Sequence, residues 1–124
     1  GTVVIEAASM GLNIRGYELN RNVAQSAIEN LAFFGIDNVI ECRDMHQLDE
    51  SFDVSIVDMP YGLFTTVSLT VQNEILRTAR RISKRSVIIT GDNMDESITM
   101  AGFNIVHQCH ISKGRLTRYI TVCS

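Results

Sequence analysis

The residues with the clearest potential for chemistry lie in the middle of the chain, where Asp-Met-Pro-Tyr-Gly at residues 58–62 follows an apolar stretch. Proline and glycine after a strand often form only a turn. An acid, a proline and an aromatic residue together also suit the positioning of an exocyclic amine on a flat ring. Asp58 and a backbone carbonyl can accept hydrogen bonds from the NH₂ group, and Tyr61 can stack on the ring. Asp58, Pro60 and Tyr61 are therefore candidate catalytic residues.

A second acid, Glu18, ends the first predicted strand. An acid at a strand end is often merely solvated. In nucleotide-binding sheets, however, Asp or Glu at that place accepts hydrogen bonds from ribose hydroxyls. Glu18 is therefore a candidate residue for binding a nucleotide-like ligand.

These residues are positioned by alternating helices and strands. The patterns predict helices at 2–10, from Asn20 or Asn22 to about 34 and at about 67–82, and strands at 13–18, 39–43, 52–58 and 87–90. The expected apolar stripes are Val23, Ala27, Leu31 and Phe34 in the second helix, and Val71, Ile75, Leu76 and Ala79 in the third. Val54, Ile56 and Val57 are the predicted buried residues of the third strand. Two alternating runs, 104–111 and 116–123, predict a hairpin whose turn spans 112–115.

This order of elements predicts an α/β fold, a Rossmann-like doubly wound and mostly parallel sheet with a C-terminal antiparallel hairpin. One strand is missing from the pattern, because the first helix begins at the start of the sequence with no strand before it. The first strand of such a sheet lies centrally, so its absence is expected to split the sheet. Residues 1–124 are therefore expected to be one domain lacking its first strand, as a fragment of a longer chain.

Composition excludes several classes of protein. The 124 residues are 45% hydrophobic and 20% charged, as in globular domains, and the net charge of −3 argues mildly against autonomous nucleic-acid binding. No membrane span or signal peptide is predicted. Three unpaired cysteines are expected to be buried reduced thiols, which fits the cytoplasm. No metal site is predicted, since His46, His107 and His110 lack partners at ligand spacing.

The run at 58–62 resembles the (Asp/Asn)-Pro-Pro-(Tyr/Phe) motif of class I S-adenosylmethionine-dependent amino-methyltransferases, and Met59 departs from it by replacing the first proline. Two further segments resemble one branch of that class, the THUMP-associated RNA methyltransferases. They are Gly-Thr-Val-Val-Ile-Glu-Ala-Ala at 1–8 and Lys-Gly-Arg-Leu-Thr-Arg-Tyr-Ile at 113–120. Arg115 and Arg118 in the second segment are either edge-strand charges or phosphate contacts.

The resemblance implies S-adenosylmethionine as cofactor. Glu18 is expected at its ribose, Asp44 at its adenine, and Met45 against the adenine ring. Gly1 and Thr2 would form the tail of the glycine-rich loop, with helix amides facing the cofactor. Asp58 completes the predicted cofactor-binding set.

The resemblance also implies methylation of a nucleobase amine in RNA, most specifically a guanosine of tRNA that is turned out of its stack and held with help from an upstream domain. DNA adenine, another RNA base and protein glutamine remain alternative substrates, although the aspartate of the loop disfavours glutamine. The alternative from another class is a non-catalytic Rossmann-like partner module. The sequence does not indicate an oligomeric state.

Overall fold

A computed structural model describes residues 2–60 and 68–124, with Thr2 described by its backbone alone. The chain divides into two compact units, Gly1–Leu48 and Asp49–Ser124. The strands pair as two sheets, β1-β2 in the first unit and β3-β4-β6-β5 in the second. The predicted division of the sheet is therefore confirmed, and so is the α/β class, with mostly parallel strands followed by an antiparallel hairpin.

The first unit contains α1 (Thr2–Ser9), β1 (Gly16–Glu18), α2 (Arg21–Phe33), β2 (Ile40–Cys42) and a 3₁₀ helix (Met45–Gln47). β1 and β2 pair in parallel with Glu18 opposite Cys42, so both strands end at the same edge. The two strands have three residues each, fewer than the sequence predicted.

Helix α2 begins and ends at the residues that the sequence indicated. The Asn20 side chain accepts hydrogen bonds from the amides of Asn22 and Val23, which stabilises the helix start. Gly35 takes the left-handed conformation at φ 73° that ends many helices. The predicted stripe was partly wrong, since the buried residues are Ala24, Ala27 and Leu31 whereas Val23 and Phe34 are exposed. Both the observed and the predicted sets have the three- and four-residue spacing of one helix face. The spacing alone therefore could not decide between them.

The second unit contains β3 (Phe52–Asp58), α3 (Leu69–Ile82), β4 (Ser83–Thr90), α4 (Asp95–Met100), β5 (Ile105–Lys113) and β6 (Leu116–Cys123). β3 and β4 are parallel, and Asp58 is opposite Ile89. β6 runs antiparallel between β4 and β5. The core of the second unit is formed by residues from the helices, the strands and the loops that follow β3 and β4: Met59, Leu76, Ala79, Ile88, Met94, Ile98, Phe103 and Cys123.

Burial in β3 and α3 differs from the prediction at three positions. Val54 and Ile56 are 50% and 47% exposed, whereas Val57 packs against the core, because alternate side chains of a strand face opposite ways. β3 is also an edge strand of its sheet. Val71 is exposed near the start of α3, where Leu76 and Ala79 are buried as predicted.

Strand β4 is twice as long as predicted because its polar first half is hydrogen-bonded within the sheet. The hydroxyl of Ser55 lies 2.8 Å from the hydroxyls of both Ser83 and Ser86. The Ser83 hydroxyl also donates to the carbonyl of Ala79 at 2.8 Å. These contacts satisfy buried polar groups, so a segment that reads as a loop can lie inside a sheet.

The hairpin turn is shorter than the four residues predicted. Lys113 pairs with Leu116, which leaves Gly114 and Arg115 as the two-residue turn. Gly114 has a φ of 62°, the positive value that the first central residue of a tight hairpin turn requires. Helix α4 was not predicted, although Asp95 and Glu96 in its first turn are typical of a helix start.

The expectation of three buried cysteines was wrong for two of them. Cys42 and Cys109 are exposed, and only Cys123 is buried. Burial raises the pKa of the Cys123 thiol, an effect that the nearby Arg80 partly opposes. Within residues 2–60 and 68–124, no helix has the length and apolar character needed to cross a membrane.

Candidate active site

Glu18 lies half-buried at the carboxyl end of β1 and is held there by the backbone. Its Oε1 accepts a hydrogen bond of 3.0 Å from the amide of Asn20, and its carbonyl accepts one from the amide of Arg43. The other carboxylate oxygen has no hydrogen bond to any residue in the described part of the chain. Glu18 thus presents a fixed acceptor at the edge where ligands of open α/β sheets bind.

Asp44 follows β2 at the same edge of the first sheet. Its Oδ1 accepts a 2.9 Å hydrogen bond from the amide of His46 and so caps the 3₁₀ helix that begins at Met45. Asp44 and Met45 are both half-buried. The structure therefore places Glu18, Asp44 and Met45 within one unit. Gly1 and the side chain of Thr2 lie outside the described residues.

Asp58 is the last residue of β3, and its side chain is exposed. Nη1 of Arg118 lies 3.3 Å from Asp58 Oδ1, forming an ion pair from the middle of β6. The pairing of β6 with β4 begins at Tyr119, so within the described residues Arg118 has a strand partner only in Ile111 of β5, and the interpretation as an edge-strand charge is compatible with the structure. A guanidinium at this distance restricts the orientations of the carboxylate.

Pro60 is exposed, and its carbonyl accepts a 3.1 Å hydrogen bond from Nε2 of Gln72 on α3. The first turn of α3 is itself ordered by Ser68, whose hydroxyl accepts from the amide of Val71. Helix α3 thereby holds the backbone that follows Asp58. The predicted stacking residue, Tyr61, lies outside the described residues.

Met59, the residue that departs from the family motif, is the anchor of this loop. It is 1% exposed and belongs to the core of the second unit. Its amide donates a 2.8 Å hydrogen bond to the carbonyl of Ile89 on β4, which a proline could not do. Burial and this hydrogen bond fix the backbone where the motif uses proline rings.

We expect Met59→Ala to lower the free energy of unfolding by about 2–5 kcal/mol, since it removes a buried side chain and leaves a cavity. Met59→Leu should cost less than about 1.5 kcal/mol, because it nearly conserves volume. Urea denaturation of both variants and of Met100→Ala, an exposed methionine on α4, measures the difference. Equal stability of Met59→Ala and Met100→Ala would show that Met59 does not anchor the loop.

A cavity of about 170 Å³ lies at the carboxyl ends of β3 and β4 in the second unit. Its lining comes from the residue after Asp58, the start of α3 and the loop after β4: Met59, Leu69, Gln72, Thr90, Gly91, Asp92, Asn93, Met94 and Ser97. Sequence reasoning missed the loop after β4. The available signal was a polar Asp-Asn pair that follows a buried strand after a single glycine.

Gln72 and the role of Arg118 were also missed. Both residues reach the candidate loop only through the tertiary fold, since Gln72 contacts Pro60 from α3 and Arg118 contacts Asp58 from sixty residues away. No local pattern marks such contacts. Among the residues that the structure describes, no group of His, Cys, Asp or Glu could hold a metal ion.

Solved structures of methyltransferases share this fold. A magnesium protoporphyrin IX methyltransferase from Synechocystis PCC 6803, crystallised with S-adenosylmethionine, matches 99% of this chain and 64% of its own with a TM-score of 0.77 at 13% identity. TrmN from Thermus thermophilus matches 99% of this chain and 40% of its own, with a TM-score of 0.76 at 18% identity. The fold is that of the class I S-adenosylmethionine-dependent methyltransferases, as the sequence predicted.

The chain belongs to the UPF0020 family, an RMKL-like methyltransferase domain, whose model matches residues 1–117. Two curated relatives are tRNA (guanine(10)-N2)-dimethyltransferases. That of Pyrococcus abyssi is 31% identical over 75 residues, 56% of this chain, and that of Methanothermobacter thermautotrophicus is 36% identical over 67 residues, 51% of this chain. These matches confirm the predicted resemblance to tRNA methyltransferases. They span only 23% and 20% of the relatives' lengths.

Proposed function

We propose that this chain transfers a methyl group from S-adenosylmethionine to the exocyclic amine of a nucleobase in RNA, specifically a guanine of tRNA. The observation that carries the proposal is the geometry of Asp58. An exposed carboxylate ends a parallel strand, a guanidinium is paired with it, and the next residue lines a cavity of about 170 Å³. The names of the two curated relatives support guanine N2 as the methylated position.

The first unit fits the proposed cofactor. Glu18 and Asp44 stand at the same edge of a parallel pair, and each keeps one carboxylate oxygen without a partner in the described residues. Ribose hydroxyls and an adenine amine are the donors that such oxygens accept. We assign Glu18 to the ribose, Asp44 to the adenine amine and the thioether of Met45 to the adenine ring. Bound S-adenosylmethionine supplies an electrophilic methyl group on a sulfonium.

The second unit would orient the substrate. Asp58 accepts a hydrogen bond from the target amine, which aims the nitrogen lone pair at the methyl group. A strong base is not needed, because the nitrogen becomes cationic and acidic only after it has gained the methyl group. The contribution of Asp58 is therefore positioning and electrostatic stabilisation, the terms that dominate reactions with little covalent work for the protein. We assign base stacking to Tyr61 and loop geometry to Pro60.

Calorimetric titration of the full-length protein with S-adenosylmethionine tests whether it is an enzyme. Binding heat and a raised melting temperature are the expected results, since a ligand that binds only the folded state stabilises it. Neither signal would appear with a non-catalytic partner module.

Mass spectrometry of nucleosides tests the substrate. Total tRNA from a deletion strain should lack one N2-methylated guanosine, and the purified protein should restore it in vitro. A profile unchanged by the deletion would overturn RNA methylation. Methylated adenine in DNA, or methylated glutamine in protein, would then be measured in the same strain.

Arg118→Ala should lower kcat about 10-fold, because a charge-assisted hydrogen bond that orients Asp58 is lost. Arg118→Lys should recover part of the loss, since it keeps the charge without the planar fork. Single-turnover methyl transfer measures both variants. Arg77→Ala is the matched control because Arg77 is an exposed arginine on α3. If Arg118→Ala raises only the KM for RNA, the residue contacts phosphate instead.

We also propose that a strand and most of the glycine-rich loop precede residue 1, and that an upstream domain helps to bind tRNA in the cytoplasm. Within residues 2–60 and 68–124 no strand pairs with the outer edge of β3, and Val54 and Ile56 are half-exposed. Both observations support an additional parallel strand beside β3. Hydrogen exchange compares residues 1–124 with a version extended at its N-terminus. Slower exchange of β3 amides in the longer protein is expected, and equal exchange would overturn the proposal.

A further inference from the structure

Hydrogen bonds within the loop after β4 order the backbone around Asp92, which lines the cavity in the second unit. Thr90 ends the strand, and its hydroxyl donates a 2.7 Å hydrogen bond to the carbonyl of Asp92. The Asn93 side chain accepts a 3.0 Å hydrogen bond from the amide of Asp95, where α4 begins. The backbone on both sides of the Asp92 side chain is therefore fixed.

The Asp92 carboxylate itself makes no hydrogen bond or ion pair with any residue that the structure describes. It lines the cavity that Met59 and Gln72 also line. The neighbouring acids differ, since Asp58 is paired with Arg118 and Asp95 accepts from Gln108. Asp92 is exposed, so its carboxylate is accessible to a ligand in the cavity that it lines, and its backbone is held on both sides.

Strand register sets Asp92 beside the candidate catalytic loop. Asp58 and Ile89 are paired across the parallel strands β3 and β4, and Asp92 is the third residue after Ile89. The two acids thus lie in the loops that leave neighbouring strands at one edge. A cavity of about 170 Å³ is smaller than the roughly 300–1,000 Å³ of drug-sized sites, which limits its occupant to a small group, and a single flipped base is the occupant that the proposed function supplies.

We propose that Asp92 recognises the target base by accepting a hydrogen bond from the N1–H of guanine. The inference rests on the proposed function and names the contact that selects the base. Guanine carries two adjacent donors on its Watson–Crick edge, N1–H and the N2 amine, so one acid can orient the amine while the other accepts from N1–H. Adenine has an unprotonated N1, which a carboxylate repels. Asp92 is therefore a specificity residue that favours guanine over adenine.

Two synthetic tRNA substrates test this contact in the full-length protein. One carries guanosine at the target position, and the other carries 2,6-diaminopurine riboside, which keeps the N2 amine but has an acceptor at N1. The unaltered protein should prefer guanosine by about 10- to 100-fold in kcat/KM, the effect of one hydrogen bond to a charged group. Asp92→Asn should reduce or reverse that preference, since its amide can donate to the N1 acceptor.

Asp92→Ala is a second test variant. It should lose the preference for guanosine, because alanine forms no hydrogen bond with N1 of either base. Glu96→Gln is the control, since it removes one exposed negative charge on α4 outside the cavity and should keep the guanosine preference. An unchanged preference in both Asp92 variants, with guanosine still methylated by the unaltered protein, overturns the inference alone. If the unaltered protein methylates neither substrate, the proposed function fails first and the inference with it.

Discussion

Asp58→Ala is expected to lower kcat for methyl transfer by about 10²–10³-fold, the usual effect of removing one preorganised group that stabilises a transition state. Affinity for S-adenosylmethionine should stay close to normal, because we assign the cofactor contacts chiefly to Glu18 and Asp44. Asp58→Asn should be less severe, since its amide oxygen still accepts a hydrogen bond although the ion pair with Arg118 is lost. Single-turnover assays with tRNA measure the rate, and calorimetry measures the cofactor affinity.

Asp53→Ala is the matched control for this variant, because Asp53 is an exposed aspartate near the opposite end of the same strand. It should leave turnover unchanged. A collapse of cofactor affinity in Asp58→Ala would move Asp58 from the substrate to the cofactor, in line with the wider cofactor-binding set that the sequence predicted. Unchanged turnover of Asp58→Ala would show that residues 58–62 are not the catalytic loop.

Glu18→Ala is expected to weaken S-adenosylmethionine binding by about 10- to 100-fold, since hydrogen bonds to a charged group contribute about 1.5–3 kcal/mol. Turnover at saturating cofactor should change much less, because Glu18 touches no reacting atom in the proposed arrangement. The cofactor affinity of Glu18→Gln should lie between those of the unaltered protein and Glu18→Ala, because glutamine keeps an acceptor without the charge. Calorimetric titration with the cofactor gives the affinity of each variant.

Glu18→Ala also removes the acceptor for the Asn20 amide next to the start of α2, so the stability of the variant needs its own measurement. Thermal unfolding separates lost affinity from lost structure. Glu41→Ala is the companion variant, since Glu41 is an exposed acid on the neighbouring strand β2. If Glu18→Ala and Glu41→Ala bind the cofactor equally well, the ribose is held elsewhere.

The sequence predicts elements well where local chemistry decides them. β3 has the predicted bounds because an apolar alternating run ends at an acid and a proline. The start of α2 at Asn20 and its end at Gly35 follow from capping and from a positive φ. β4 was too short in the prediction because Ser83 and Ser86 read as polar loop residues. Their hydroxyls reach Ser55 on another strand, a contact that no local pattern contains.

In the candidate site, too, the sequence predicts the residues that local patterns mark and misses those that depend on tertiary contacts. Glu18, Asp44 and Asp58 could be placed from the sequence because Glu18 and Asp58 each end a strand and Asp44 follows one. Glu18 and Asp44 share the carboxyl edge of the first sheet, and Asp58 lies at the carboxyl edge of the second. Arg118 and Gln72 could not be assigned their contacts, because only the fold brings β6 and α3 to residues 58–60. Their types also fit a solvated surface, so composition offers no substitute for the tertiary contact.

The burial of Met59 has a consequence for protein engineering. Because the second position of the motif is part of the same core as Phe103 and Ile98, we expect substitutions at these two positions to shift the backbone beside Asp58. Libraries that seek new base preferences should therefore leave those positions fixed and vary Asp92 and Asn93, two exposed residues that line the same cavity from a separate loop. Thermal inactivation should coincide with melting of the core, so gains in heat tolerance there would also extend the working range of the active site.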